Sequence, residues 1–321
     1  MPDPELPNSV KAFAPATVAN VGCGFDVLGF AIHELGDYVT ATISDRPGVH
    51  ITGISGDGGM LPLEAEKNTA GLSVIRLLNA LGRHDAGIRL TIEKKMPLGS
   101  GLGSSAASSA AATYAANKLL GEPFTLPELL PFAVEGEMAA SGTPHADNAA
   151  AALFGGFVLV KTHLPPDVIS LPTPPELYCT IIHPEIEIQT RHSRQILRKE
   201  VPLAKAVTQW ANVGSLVAAL FREDYELIGR SIHDEIIEPV RSVLIPGFDR
   251  MKQAAADAGA LGCSISGSGP SLFALSCGRD AAVRAASAMG EELKKIGLKY
   301  NKLVSSVNTQ GATTAVEERL S

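Results

Sequence analysis

The feature that most constrains this 321-residue chain is the string Pro97-Leu98-Gly99-Ser100-Gly101-Leu102-Gly103-Ser104-Ser105-Ala106-Ala107. Three glycines at alternate positions let a loop turn its backbone N–H groups inward without Cβ obstruction. The run 106–120 is alanine-rich and holds no glycine or proline, which predicts a helix, and Gly121 supplies its stop. The first N–H groups of a helix lack partners and its dipole favours negative charge, so glycine loop, serines and helix start together form a phosphate cradle. No lysine follows the glycines as in a Walker A loop, and the third glycine of a dinucleotide fingerprint would fall at Ser104. A plain glycine turn capped by serine accounts for a shorter string, but not for this one with its helix.

Periodicity around the cradle predicts strands at 10–17, 38–43, 50–59 (running into a glycine-rich turn), 88–94, 157–161, 177–183, 262–266 and 271–275. Helices are expected at 70–81, capped by Asn68 or Thr69, and at 126–136, 207–221, 225–233, 248–258 and 281–296. Strands and helices alternate in both halves, so the class is mixed α/β or α+β. The length favours two domains. Five prolines in 164–175 mark either their boundary or a proline-rich loop, and the expected division is 1–175 and 176–321.

Composition narrows the function classes. With 45% hydrophobic and 19% charged residues, the chain can bury a sizeable core. A formal charge of −7 argues against a general nucleic-acid binder, which needs a basic field, yet leaves room for a local anion site. No apolar run is long enough to span a membrane, and residues 1–9 lack the basic and apolar stretches of a secretory signal. Cys23, Cys179, Cys263 and Cys277 are far apart, a poor framework for disulfides or zinc, so a reducing cytoplasm is the expected setting.

Four further segments carry chemistry. Residues 259–275 predict two strands around Gly267-Ser268-Gly269-Pro270, a turn that brings backbone close to a ligand or is simply a hairpin. The loop from Asn20 to Asp26 can hold a polar group such as an amine, although Asn, Asp and Gly are turn formers in any case. In 135–148, Glu137 on a helix can reach a Mg²⁺ ion or be a solvated face, and His145, Asp147 and Asn148 are expected in a turn. Arg194 and Arg241 can clamp a carboxylate or be surface charge.

These segments, in this order, resemble the GHMP small-molecule kinases. Residues 16–30 (ATVANVGCGFDVLGF), the glycine string, 141–148 (SGTPHADN), 238–241 with Ile245-Pro246, and 264–270 carry the likeness over most of the chain, and the first and third point to the homoserine branch. The resemblance implies an α+β fold of two domains, the N-terminal one like ribosomal protein S5 and the C-terminal one ferredoxin-like, and often a homodimer. It implies ATP-dependent phosphorylation of the L-homoserine hydroxyl, a step toward threonine. By similarity, Pro97 to Ala107 wrap the nucleotide phosphates, Asn68 lies near the adenine, and Ser105 and Glu137 hold Mg²⁺. Asn20, Asp26, His145, Thr190, Arg194 and Arg241 form the homoserine pocket, Asp26 meeting the amino group and the arginines the carboxylate. Some relatives use an Asp base with a nearby Lys. Here the region reads His145-Ala146-Asp147-Asn148 with no obvious Lys partner, so Asn148 orients the hydroxyl or Asp147 serves as base, and both stay open.

Two other readings compete. A GHMP kinase for mevalonate, a sugar or an isoprenoid precursor would not need Asp26 with Arg194 and Arg241. A ligand-binding relative without catalysis would not need an intact glycine loop, Ser105 and Glu137.

Overall fold

The computed structural model describes residues 6–142, 145–188 and 190–315. β1 (Ser9–Ala19) and β2 (Leu28–Ile43) run antiparallel. β1 first alternates, with Val10, Ala12 and Ala14 inward, and from Ala14 onward is buried on both faces. β3 (Gly48–Ser55), helix α1 (Thr69–Ala80) and β4 (Gly87–Glu93) form a crossover unit, β3 and β4 pairing in parallel. Asn68 caps α1, its side chain accepting from the Ala70 N–H at 3.0 Å.

Helix α2 (Ser104–Leu119) packs on β1 and β2 and against α1 and α3 (Leu126–Ser141). Ala106, Ala107, Ala110, Ala111, Ala112, Ala115 and Ala116 are fully buried. That explains the alanine run: a helix enclosed on all sides needs small side chains to lie close to its neighbours. Helix α4 (Ala146–Phe154) follows, then the hairpin β5 (Phe157–His163) and β6 (Pro166–Leu171).

The chain then enters a second sheet with β7 (Leu177–Pro184). Helices α5 (Thr190–Gln195), α6 (Leu203–Arg222), α7 (Tyr225–Ser231) and α8 (Glu238–Arg241) precede α9 (Phe248–Asp257). The hairpin β8 (Gly262–Ile265) and β9 (Leu272–Cys277), helix α10 (Arg279–Lys295) and β10 (Tyr300–Ser306) complete it. Its order is β10-β7-β9-β8, antiparallel throughout. With α9 before β8 and α10 before β10, this is the split β-α-β arrangement of ferredoxin-like sheets, enlarged after β7 by α5 to α8.

The last strand, β11 (Thr313–Thr314), returns to the first sheet and pairs with β1. On the way Val307 bridges Ile32, and the Asn308 carbonyl accepts from the Gly156 N–H at 2.6 Å. The main apolar core joins the two sheets: Phe30 packs on Phe157, ring centroids 4.7 Å apart, and on Phe273 at 6.0 Å. A smaller core, including Ile182, Met251, Leu272 and Met289, fills the space between the second sheet and its helices.

Three expectations change. The proline-rich segment 164–175 contains strand β6, because its prolines fall at the strand's start and after its end, where no ladder N–H is missed. His145, Asp147 and Asn148 do not sit in a turn: His145 is the cap of α4 and the other two occupy its first turn. The strand expected at 38–43 is longer: β2 begins at Leu28, with a break in register near Pro15 and Gly36.

Candidate active site

Three loops converge where the two sheets meet. Gly99, Gly101 and Gly103 all take left-handed backbone angles, φ 66°, 77° and 68°. Gly101 also lies too close to the 266–270 turn for a side chain: a Cβ there would be 2.5 Å from the Ser266 carbonyl oxygen. The Ser266 hydroxyl donates to the Gly101 carbonyl at 2.8 Å, and the Gly267 N–H donates to the Ala19 carbonyl at 3.1 Å. Glycine loop, hairpin turn and the end of β1 are thus stitched together.

A buried ion pair underpins the helix start. Lys94 and Asp37, nearly inaccessible, face each other, and the Lys94 ammonium also donates to the Ser104 carbonyl and the Ser108 hydroxyl, each at 2.7 Å. Asp37 accepts from the Ser104 hydroxyl at 2.8 Å and from the Lys95 N–H at 2.8 Å. Burial pulls the Lys94 ammonium down, and the Asp37 charge opposes this. Neither residue is singled out by the sequence, since nothing local marks the two as partners.

Beside the loop, the Ser105 hydroxyl donates to Glu137 Oε2 at 2.8 Å. Burial raises the Glu137 carboxyl to about 7, against the pull of that hydrogen bond and of Lys94. Asp147, 3% exposed, is raised to about 7, first by burial and then by the charge of Asp26; its Oδ1 accepts from the Asn148 N–H at 3.0 Å. Among the described residues no cluster of three or more His, Cys, Asp or Glu could hold a metal. Ser105 and Glu137 form a small, hard oxygen set, which fits a Mg²⁺ ion that takes its remaining ligands from phosphate and water.

The opposite wall is charged. Loop 20–26 is strained, with Asn20, Val21 and Asp26 at φ 73°, 45° and 60°. Asn20 secures it: Oδ1 accepts from the Asp26 N–H at 3.1 Å and Nδ2 donates to the Gly267 carbonyl at 2.8 Å. Asp26 accepts two hydrogen bonds from Arg194, at 2.6 and 3.0 Å, in a bidentate pair. Arg241, 3% exposed, donates to the carbonyls of Ser193 at 3.2 Å and Gly267 at 3.0 Å. Burial, and then Arg194, lower its guanidinium to about 10, so it stays charged at neutral pH. Phe25, which the sequence did not single out, lies against both guanidiniums, 5.4 Å from Arg194 and 5.2 Å from Arg241. His145 is lowered to about 4, chiefly by burial and then by Arg194, and is therefore neutral. α8 is aimed by Asp234, whose carboxylate accepts from the N–H groups of Ile236, Ile237 and Glu238.

These groups line one cleft of about 210 Å³. It gathers Asn20, Asp26, Glu137, His145, Asp147, Asn148, Arg194 and Arg241 with residues 98–105 and with Gly267 and Ser268. A second cavity of about 260 Å³ is lined by Pro62, Asn68, Thr69, Ile92 and Lys94, and shares Leu98 and Ser105 with the first. Asn68 therefore sits apart from the charged wall, on the far side of the loop. Ala106 and Ala107 are buried behind the loop, and Pro97 is exposed and lines neither cavity. Thr190 opens α5, and its side chain lies outside the described residues.

Residues 68–156 match the family described as GHMP kinases N terminal domain, and residues 216–295 match GHMP kinases C terminal. The chain is 53% identical to a homoserine kinase of Chloroherpeton thalassium over 89% of its length and 93% of the relative's. It is 50% identical to one of Chlorobium phaeobacteroides, covering 95% and 98%.

The chain belongs to the homoserine kinase family.

The crystal structure of a homoserine kinase from Cytophaga hutchinsonii superposes with a TM-score of 0.95 at 56% identity, covering 98% of this chain and all of that one. Likeness to homoserine kinases thus spans both sheets and the cleft between them. A mevalonate kinase of L. major, 17% identical with a TM-score of 0.69, shares the fold alone.

Proposed function

We propose that the cleft is where ATP and L-homoserine meet, and that the residues on its two walls divide the work. The activity is that of a homoserine kinase: ATP-dependent phosphorylation of the L-homoserine side-chain hydroxyl, in threonine biosynthesis. The observation that carries this reading is the pairing, in one cleft, of a glycine loop at a helix start with a wall holding one carboxylate and two guanidiniums.

The backbone N–H groups of 99–103 and the start of α2 bind the nucleotide phosphates. The second cavity, with Asn68 at its edge, takes the base. Ser105 and Glu137 would hold Mg²⁺ together with phosphate oxygens; once bound, the ion neutralises charge on the phosphates. Asp26 receives the substrate ammonium, and Arg194 and Arg241 receive its carboxylate. The bidentate pairing of Asp26 with Arg194 keeps both charges in place before substrate arrives. A site that buries both signs rejects analogues lacking either, because its own charges are left unmatched. His145, neutral, and Asn20, fully engaged in the loop, shape the pocket rather than carry charge.

Asn148 orients the hydroxyl. The hydroxyl oxygen bonds to the γ-phosphorus as the bond to the β–γ bridging oxygen breaks, and that electron pair leaves with ADP. The hydroxyl proton passes to a phosphoryl oxygen and then to solvent. Phosphoryl transfer has a loose transition state, so positioning and charge stabilisation suffice. A second reading, in which Asp147 takes the proton, is favoured by its carboxyl lying near 7. A kcat that survives Asp147→Asn supports the first reading; a loss of several orders of magnitude supports the second.

A homodimer in a reducing cytoplasm completes the proposal. Three of the four free cysteines are buried, and among the described residues no helix is long and apolar enough to cross a membrane. The deciding experiment is ADP release from Mg·ATP with L-homoserine, L-threonine, mevalonate and galactose in parallel. Turnover with homoserine alone supports the assignment. Turnover with mevalonate or galactose instead would overturn the roles given to Asp26, Arg194 and Arg241.

A further inference from the structure

Thr17 lies near the end of β1 and is fully buried. Nothing in its sequence context marks it as polar machinery, and a threonine in a strand is ordinarily a matter of shape. Its surroundings are not ordinary. Its N–H donates to the Leu102 carbonyl at 3.0 Å, which fixes it to the nucleotide loop. Its hydroxyl donates to Asn148 Oδ1 at 2.7 Å, across a sequence separation of 131 residues. Gly103 closes the third side: a Cβ there would meet the Thr17 hydroxyl and come within 2.8 Å of Asn148 Oδ1.

We infer that Thr17 is a positioning residue for phosphoryl transfer, holding the Asn148 amide so that it faces the reacting oxygens as a hydrogen-bond donor. This inference rests on the reading of Asn148 given above.

A hydroxyl has one proton to give, and an amide has distinct ends. With Oδ1 occupied by Thr17, the end of Asn148 left for the cleft is Nδ2, which carries two N–H groups. The Asn148 backbone N–H is itself committed to Asp147 Oδ1 at 3.0 Å, so the start of α4 holds the residue from the other side. A donor aimed at the substrate hydroxyl oxygen leaves that oxygen's proton free to depart in the opposite direction. Nδ2 has a second N–H, and where this reaches a γ-phosphoryl oxygen it gains strength as negative charge gathers there, which is where a preorganised donor contributes to rate. The same threonine ties this donor to Leu102, so amide and phosphate cradle keep a fixed spacing. In-line transfer needs that spacing.

The test is a double-mutant cycle of Thr17→Val and Asn148→Ala, with Thr17→Ser as the conservative control and thermal melts of each protein. Removing the hydroxyl should lower kcat by about tenfold, the upper worth of one neutral hydrogen bond, with KM for ATP and for homoserine held within about threefold. Thr17→Ser should restore kcat to near wild type, and the double variant should be no slower than Asn148→Ala. Thr17→Ala, which cannot clash, serves the same comparison should the valine variant not fold. Wild-type kcat in Thr17→Val, a serine variant as slow as the valine one, or losses that multiply in the double variant would each overturn the inference. If Asn148→Ala itself kept full kcat, the assignment of Asn148 would fall first, and the Thr17 role with it. An impaired Asn148→Ala beside an unimpaired Thr17→Val overturns the Thr17 role alone.

Discussion

At the scale of single residues, the two walls of the cleft should separate in kinetics. Arg241→Leu removes a buried guanidinium that the proposal assigns to the substrate carboxylate. Loss of a charged hydrogen-bond partner costs roughly 1.5–3 kcal/mol, so KM for homoserine should rise about 10- to 100-fold. KM for ATP should stay within about twofold; an equal rise in both would remove the carboxylate role. Glu137→Gln keeps the shape of its helix face but not the charge. It should lower kcat by about tenfold or more, with partial recovery at high Mg²⁺, and a kcat unchanged across a Mg²⁺ titration would refute the ion-holding role. Asp147 gives a pH signature. Burial raises its carboxyl from 3.8 to about 7 in the folded chain. Between those values the folded protein holds a proton that the unfolded chain has released. Its contribution to stability is therefore complete below about pH 4, falls as pH rises toward about 7, and is flat beyond. Asp147→Asn keeps an acceptor for the Asn148 N–H and abolishes this slope. Melting of the ligand-free variant should exceed wild type by about 2 °C or more at pH 8 and converge with it near pH 4. Glu137, raised by the same cause, leaves part of the slope in the variant.

At the scale of elements, the glycine string and its alanine helix were legible because local chemistry alone dictates them: glycine for left-handed turns, alanine for an enclosed helix. The cap at Asn68 and most strand and helix positions were legible for the same reason. Asp26, Glu137, Arg194 and Arg241 were legible as candidates from their chemistry, but only resemblance gave them one site, since Arg194 and Arg241 reach it through the long connection after β7 that carries α5 and α8. Asp37 and Lys94 escaped notice because a buried ion pair looks, in sequence, like two surface charges on alternating strands. Thr17 and Phe25 escaped because their partners lie far along the chain. The strand β6 escaped because prolines at its edges masked a short alternating run. Gly101 tests the stitching of loop to turn. Gly101→Ala would place a methyl at φ 77° and 2.5 Å from the Ser266 carbonyl oxygen. Strain of this kind costs about 1–3 kcal/mol, which should appear as a lowered Tm together with a raised KM for ATP. A loss of stability with unchanged ATP affinity would mean that the 266–270 turn does not shape the phosphate cradle.

At the scale of the whole molecule, two sheets are joined by one core through Phe30, and by the return of residues 307–315 to the first sheet. Sedimentation at micromolar concentration should report twice the 33.5 kDa mass of one chain; a single-chain mass would remove the homodimer from the proposal. A chain ending at Ser306 keeps both sheets' principal strands but loses the Ile32 bridge and the strand on β1. It should expose apolar edges, melt in a broader transition and bind hydrophobic dyes, whereas melting like the full chain would show the return segment to be dispensable. The same segment has a consequence during biosynthesis. β1 is synthesised long before β11, so the edge of β1 stays open until the strand that covers it has been made. The nascent kinase must therefore wait, with β1 unpaired on one side, and a stalled or truncated product would carry that open edge to whatever strand it meets next.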